Sequence, residues 1–502
     1  CTDPCDAIRG EARTHSPASP LFRTDTTTRK DAMHTLSFTG ERQLRYPAPD
    51  VARGFMLALI ALANVPFWLR YFPEAPHAGH AALAAMGSAD QWWYLARTLF
   101  IDRRAYPLFS ILFGFGMAIM ASRTMERERR AAMETFTAEE VAGWHPVQRQ
   151  IVEQNVERYA RRTASRLIRR RGWWMLAFGL VHAVFFSGDI IGTYGLVAVI
   201  FAEVIVMTRA WVRVLVGVFI GSLSLLGIWS MSAFMGRGPM MLEFHDPVSL
   251  DAGYPLVSVA SWLIATPMTV LTALVVPCVM IGVGVARWGL LQDPRGRGAL
   301  LSGIAACGLG IGALGGLPFA LMQLDWAFVG SAAWSYPLFH ASGVAGACGW
   351  LALLALVGGG PREKLGTACA FLSAIGRRSM TAYLSQTVLF ILICGLSISF
   401  GVRSLGVAVS GLIALVVWAL IGLGCAIAEA MGSSRGPAEW ALRWLVAKSA
   451  KKRPMPAFVP VPVVRSDAST RVAQASSFPV APDPAPGVEP NGSTQGSTCE
   501  GE

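Results

Sequence analysis

The chain has 502 residues, 53% of them hydrophobic and 15% charged, with a formal net charge of +11 and a mean hydropathy of +0.46. That apolarity excludes an ordinary soluble domain and defines an integral membrane protein. The positive charge sits in loops beside apolar runs, where it faces anionic headgroups, so it gives no argument for nucleic acid as a partner.

In chain order, residues 1–32 are polar and aperiodic and end just before Met33. A translation start at Met33 would make 1–32 a disordered or untranslated lead and 33–52 a short cytoplasmic segment. No cleavable signal pattern precedes the first apolar stretch. Runs of bilayer length, about twenty residues, then recur at about 53–71, 105–122, 172–187, 190–207, 211–234, 259–285, 299–322, 332–356, 379–398 and 405–429. The pattern predicts an all-α polytopic bundle of ten spans. Its parts are the first two helices with their outer loop (53–122), a basic cytoplasmic insertion (123–171), eight further helices (172–429), a juxtamembrane amphipathic segment (430–453) and a disordered cytoplasmic tail (454–502).

The insertion carries twelve arginines, which places it on the cytoplasmic side by the positive-inside rule. With ten spans, both termini then lie inside, as do the other Lys- and Arg-rich loops. The opposite loops hold only Arg97, Arg103, Arg104, Arg237 and Arg403. The insertion mixes Glu and Arg with good helix formers and reads either as a helix lying along the inner surface or as a solvated connector. Six of the nine cysteines stand singly, at 278, 307, 348, 394 and 425 inside spans and at 369 between two of them. Without a CxxC or Cys/His cluster they are read as small buried hydrophobes, not disulfides or metal ligands.

The polar residues inside apolar runs carry the functional question, because an ionisable group in hydrocarbon needs a partner or water. In "LVHAVFFSGDIIGTYG" (180–195), His182 and Asp189 stand seven residues apart. A neutral imidazole can take a proton from a hydroxyl or amine, and a carboxylate can orient it. Two helical turns are too long for direct contact, so a water or substrate bridges them or the helix breaks near Ser187-Gly188. The competing reading has His182 bonded across helices and Asp189 capping the next helix. Asn64, eleven residues beyond Arg53, reaches the depth expected for His182. Arg53, with Asp50 at the inner mouth of the first span, either grips a phosphate or carboxylate of a cytoplasmic donor or anchors the helix end by snorkelling. Ser379, Tyr383 and Gln386 form one polar stripe, flanked by Thr381 and Ser385, that lines a cavity or serves as interhelical glue.

Elsewhere the readings are structural. Ser110, Gly114 and Ala118 give a small-residue packing face, Glu439 and Arg443 an i,i+4 pair beside the interfacial Trp440 and Trp444, and His340 a packing partner. Glu74, His77 and His80 offer an outer-loop base or metal site but are ordinarily only solvated. No Walker loop, HExxH, nucleophile elbow or dinucleotide fingerprint is present.

Five stretches, "PDVARGFMLALIALAN" (49–64), "YPLFSILFGFGMAI" (106–119), "GLVHAVFFSGDIIGTYG" (179–195), "GRRSMTAYLSQT" (376–387) and "GPAEWALRWL" (436–445), together resemble the YeiB-like family of bacterial inner-membrane proteins, whose C-terminal half is the domain of unknown function 418. Smaller residues at Val51 and Ala52, Pro47 and Pro49, and Ala382 and Ser385 depart from its pattern without removing a titratable group. The family is distantly similar to integral-membrane acyltransferases, including sugar O-acyltransferases and heparan-glucosaminide acetyltransferase. The shared feature is an "RG" opening of helix one with a polar residue eleven positions after the arginine. Here that residue is Asn64, as in the glucosaminide branch, where the sugar O-acyltransferases have histidine, so a base has to come from elsewhere.

Two functions follow as expectations. In the first, a cytoplasmic acyl donor such as acyl-CoA meets an envelope lipid or glycan acceptor. His182 and Asp189 are then catalytic, and Arg53, Asn64, Tyr383 and Gln386 bind substrate. In the second, Asn64, His182, Asp189 and Gln386 line a permease path for a small polar or acidic solute; the two halves show no matching motifs, which favours the enzyme. A scaffold or sensor acting through the basic loop and tail is a third possibility. Membrane lipids and a small-molecule or glycan substrate are the expected partners, and the sequence leaves the oligomeric state open.

Overall fold

The chain divides into two units, Cys1–Arg45 and Tyr46–Glu502. The computed structural model describes residues 46–72, 74, 86–207, 209–235, 253–291, 294–327, 330–360, 365–433, 435–451 and 454–459, all in the second unit. The lead to residue 45, His77, His80, Arg237 and the tail beyond 459 lie outside the described residues.

The first helix, α1 (Ala48–Leu69), begins with Pro49 and Asp50 in its opening turn. Both suit an N-terminus, where a missing N–H costs nothing and a negative charge faces the positive end of the helix dipole. A short amphipathic helix, α2 (Ser88–Phe100), turns through residues 101–104 into α3 (Ala105–Met133). After α4 (Ala138–Gly143) comes α5 (Pro146–Ala183), followed by α6 (Ile191–Ile200) and α7 (Ala202–Val206). Then come α8 (Ala210–Met235), α9 (Tyr254–Thr272), α10 (Val275–Trp288), α11 (Gly298–Gln323) and α12 (Ala332–Gly358). The chain continues through α13 (Thr367–Arg377), α14 (Ser379–Ser399), α15 (Val407–Ala430) and α16 (Pro437–Lys448). Among the described residues every regular element is helical. Eight stretches are long and apolar enough to cross a membrane (α1, α2 with α3, α8, α9, α11, α12, α14 and α15), and α6 and α10 are shorter apolar helices.

Close backbone contacts at glycine hold the centre of the bundle. A Cβ on Gly54 of α1 would strike the Leu372 carbonyl of α13, and one on Gly376 would strike that of Asp50, so each helix seats a glycine on the other. Gly114 of α3 and Gly282 of α10 form a second such pair against Val279 and Ile111. The small-residue face read from Ser110, Gly114 and Ala118 is therefore the seat of α10.

Several expectations on organisation change. The helix that carries the expected third span begins at Pro146, well before Gly172, since α5 runs unbroken for 38 residues, about 57 Å at 1.5 Å per residue. The arginine-rich insertion is thus the continuation of α3 and α5 into a helical hairpin, not a separate helix lying on the surface. Its interior is Ala132, Val152 and Val156. Glu157 accepts from Arg161 at 2.8 Å and from Arg129, and the turn is closed by a capping box at Thr137 with Glu140. Burial favours the neutral form of Glu157, but hydrogen bonds from Arg161 and Arg129 outweigh it and hold the carboxyl below its ordinary range. Residues 454–459, expected in a disordered tail, place Met455 and Phe458 against this hairpin, with Phe458 edge-on to Tyr159. The run 259–285 breaks at Leu274, which has a left-handed φ of 55°. Pro277 explains the position, because it lacks the N–H that would bond the carbonyl of residue 273.

None of these six cysteines pairs: Cys278, Cys394 and Cys425 are buried, Cys348 and Cys369 half-buried, and Cys307 exposed, contrary to the uniformly buried reading. Glu439 does not turn to Arg443 but caps α14, accepting from the Met380 and Thr381 amides at 2.6 and 3.1 Å and from the Thr381 hydroxyl at 2.6 Å.

Candidate functional site

His182 lies in the last turn of α5, which ends at Ala183. The helix does break before Asp189, but at Ala183, four residues ahead of the Ser187-Gly188 position considered; the chain then doubles back through Phe186, Ser187 and Gly188, and Asp189 returns to the histidine. His182 Nδ1 and Asp189 Oδ1 are 2.7 Å apart. The second carboxylate oxygen accepts from the Gly192 amide at 2.7 Å and from the Trp262 indole N–H at 3.3 Å. Asp189 therefore caps α6 and binds the imidazole at once; the two readings were not alternatives.

The other imidazole nitrogen, Nε2, is 2.8 Å from the Thr387 hydroxyl of α14. An ionised carboxylate only accepts, so Asp189 assigns the proton to Nδ1, and Nε2 becomes the acceptor of the Thr387 O–H. Carboxylate, imidazole and hydroxyl stand in one row, each 5% exposed. This is the connectivity by which a carboxylate fixes the tautomer of a histidine and steadies its charged form while the histidine handles a hydroxyl proton. Two glycines give the row its room: Gly179 sits beneath Asp189, and Gly192 abuts Trp262.

A cavity of about 380 Å³ lies beside the row, bounded by Phe186, Gly188, Ile190 and Tyr383 on that side. The Tyr383 ring is edge-on to His182 with centroids 5.3 Å apart, one side chain between the imidazole and the open space. Asn64 of α1 lines the same cavity. The remaining polar lining comes from Arg70, from Arg97 at the end of α2, and from Asp102, Arg103 and Tyr106, and apolar side chains of α1 such as Ile60 and Phe67 complete the wall. This is the end of the bundle away from the arginine-rich hairpin, because α3 and α5 run between the two.

Of the six candidate residues, the structure brings four to one place: His182 and Asp189 in the row, Asn64 and Tyr383 on the cavity wall. Gln386 is buried beside them, but its amide N–H is given to the Leu57 carbonyl at 2.9 Å, which is the interhelical role. Arg53 does not join them. It pairs with Asp50 at 3.1 Å, about 16 Å along α1 from Asn64 at 1.5 Å per residue, and its charged neighbours include Arg171. Glu74 is held by Arg403 at 2.5 Å. His340 bonds the Tyr336 carbonyl at 2.9 Å, the expected packing role. Among the described residues no group of His, Cys, Asp and Glu could hold a metal ion.

Sequence reasoning missed Thr387, the last residue of a quoted motif, where Tyr383 one turn earlier marked the same face. It also took Arg97, Arg103 and Arg104 for loop charges. Arg97 and Arg104 are each 1% exposed, because α2 folds back against α11 and buries the turn. Arg97 Nε donates to Asp102 at 2.8 Å, and Arg104 is satisfied by the carbonyls of Thr98 and Asp102 at 2.7 and 2.6 Å and by that of Gly312. The clustering of Arg97, Asp102, Arg103 and Arg104 directly before a long apolar helix was the available signal.

Fold and site together define a polytopic all-helical membrane protein with a buried carboxylate–imidazole–hydroxyl row beside a cavity of mixed polar and apolar lining. Residues 285–449 match the family model described as Protein of unknown function (DUF418), which supports placing this chain with the DUF418, YeiB-like proteins. No curated protein and no solved structure matches the chain.

Proposed function

We propose that the protein is an acyl-transferring enzyme of the bacterial inner membrane, with ten spans and both termini in the cytoplasm, acting on an envelope lipid or glycan. The observation that carries this is His182 held between Asp189 and Thr387, with Nε2 left as the accepting nitrogen. An acceptor hydroxyl entering past Tyr383 replaces Thr387 as the partner of Nε2. Its oxygen bonds to the acyl carbonyl carbon, His182 takes the proton, the carbon–sulfur bond of a thioester donor breaks, and the proton passes to the departing thiolate. Asp189 stabilises the intervening imidazolium. Asn64, on the cavity wall, supplies a hydrogen bond to the acyl carbonyl. Donor phosphates of an acyl-CoA suit the basic end, where Arg53, Arg171 and Arg443 are charged neighbours.

A permease is the second reading, favoured by helices that break inside the bundle at Leu274 and at Phe201 between α6 and α7, since transporters place their sites at discontinuous helices. Mass spectrometry of envelope lipids and glycans from a deletion strain separates the two. An acyl-group mass difference restored by wild type and not by His182→Ala, made at equal levels, supports the enzyme. Full restoration by His182→Ala overturns it.

A further inference from the structure

Helix α9 is bound at three successive turns to the reversal that carries Asp189. Its inward stripe, Ser258, Trp262, Thr266 and Val270, is buried, while Leu256, Val257, Leu263 and Ile264 are exposed. One face at i,i+4 spacing therefore meets the bundle and the rest is left to the bilayer. Where α5 ends, its last carbonyls have no partner within the helix. The Ser258 hydroxyl donates to the Ala183 carbonyl at 2.6 Å, and the Tyr254 hydroxyl, one turn earlier, to that of Phe185 at 3.1 Å. One turn later the Trp262 indole N–H reaches Asp189 Oδ2 at 3.3 Å, where both residues are buried. A carboxylate that meets an imidazole through one oxygen swings about its own bond unless the other oxygen is held. Here Oδ2 is held from two elements, by the Gly192 amide of α6 and by Trp262 of α9, which leaves Oδ1 to His182.

We propose that Trp262 is a positioning residue for the reaction at His182: by holding Asp189 Oδ2 from α9 it keeps Oδ1 on the imidazole Nδ1, and so keeps Nε2 turned to the acceptor hydroxyl. The inference rests on the acyl-transfer reading for its effect on rate, but not for the orientation of the pair. Ser258 and Tyr254 serve differently, since they pin the backbone of the reversal and bond to no group of the row. The tryptophan thus acts through the carboxylate, and the two hydroxyls act through the fold.

The test uses the full chain in phosphatidylcholine nanodiscs, with isotope-labelled histidine and tryptophan for NMR. Trp262→Phe keeps a ring and removes the N–H; Ser258→Ala loosens the same helix and leaves the indole in place. In Trp262→Phe the Nδ1 proton resonance of His182, identified by its loss in His182→Ala, shifts or broadens. The kcat for transfer falls by about tenfold, the loss of one hydrogen bond to a charged group. KM stays within about twofold, because the orientation of Asp189 matters when the imidazolium forms and not when substrate binds. Ser258→Ala lowers resistance to SDS unfolding and leaves the His182 resonance where it was. Asp189→Asn, which keeps Trp262, moves one tryptophan indole resonance, so the bond is read even where Trp262→Phe does not fold. A His182 resonance unchanged in Trp262→Phe, an equal change in Ser258→Ala, or no indole resonance moved by Asp189→Asn overturns the proposal. The expected resonance changes in a protein whose wild type transfers no acyl group sink the enzyme reading and leave the positioning role standing. Transfer with the His182 resonance unmoved by Trp262→Phe does the reverse.

Discussion

Gly179→Ala is the smallest change that reaches the candidate site without touching a polar group. A Cβ at Gly179 would lie 2.6 Å from Asp189 Oδ2 and 2.6 Å from the nitrogen and Cα of Gly192. Carbon contacts are comfortable at about 3.5–4.0 Å, so the start of α6 has to retreat by roughly 1 Å. Both neighbours are held: Gly192 donates to Asp189, and Gly192 is itself wedged on Trp262. Overpacking a fitted core costs about 1–3 kcal/mol, and weakening a hydrogen bond to a charged group costs about 1.5–3 kcal/mol. Because one displacement causes both, the expected loss is about 2–4 kcal/mol. The assay is unfolding of the purified protein by SDS titration in mixed micelles. Gly424→Ala is the control, since a Cβ there meets nothing and a helical alanine is no worse than glycine. The reasoning fails if Gly179→Ala unfolds with the wild type while Gly424→Ala also does.

Asp189→Asn keeps the shape but lets a donor face Nδ1, so the imidazole loses its assigned tautomer; transfer should fall by about 10²–10⁴-fold with the protein still folded, and a fall below threefold in an acyl-transfer assay contradicts the assignment. Thr387→Val removes the hydroxyl that holds Nε2; if Thr387 only keeps the place of the acceptor, transfer should persist at roughly a tenth or more of wild type, whereas complete loss would make Thr387 a covalent nucleophile. Phe458→Ala or truncation at residue 453 should expose the hairpin, read as faster trypsin cleavage after its arginines, and equal cleavage rates would show that residues 454–459 do not hold it. The pH prediction concerns Glu157. Its pKa is lower folded than unfolded, so its contribution is full above the unfolded value near 4.5 and is lost as pH falls through the lower folded value. The hairpin should therefore loosen only below about pH 4.5, seen as a rise in hydrogen exchange at Ala132, Val152 and Val156, and loosening already at pH 6 would point to another group.

The helical class was legible because apolar run length alone reports a span. The breaks were harder. Leu274 carries no turn signal of its own, and only Pro277 three residues later betrays it. The short helices α2 and α13 have a single apolar face and sit between stronger signals, so neither registered as an element. The hairpin was hidden for the opposite reason: the charge pattern of 123–171 is compatible with any solvated helix, and only the continuity of α3 and α5 shows that it extends two spans. At the site, the rarity of His182 and Asp189 in apolar sequence drew attention to them, but their contact depends on a reversal at residues 184–190 that spacing along an ideal helix forbids. Thr387 and the buried arginines depend on contacts between remote helices, which no local pattern encodes. Arg53 was prominent in the sequence for its "RG" setting, and the fold places it at the other end of α1.

The most direct measurement reconstitutes the purified protein in liposomes with an isotope-labelled acyl-CoA and an envelope extract from a deletion strain, and follows the label by mass spectrometry. Label appearing covalently in a lipid or glycan with wild type, and absent with His182→Ala, is the predicted result. An unmodified solute crossing the liposome membrane at a rate that depends on His182, with no label transferred, would contradict the account and make the cavity part of a transport path.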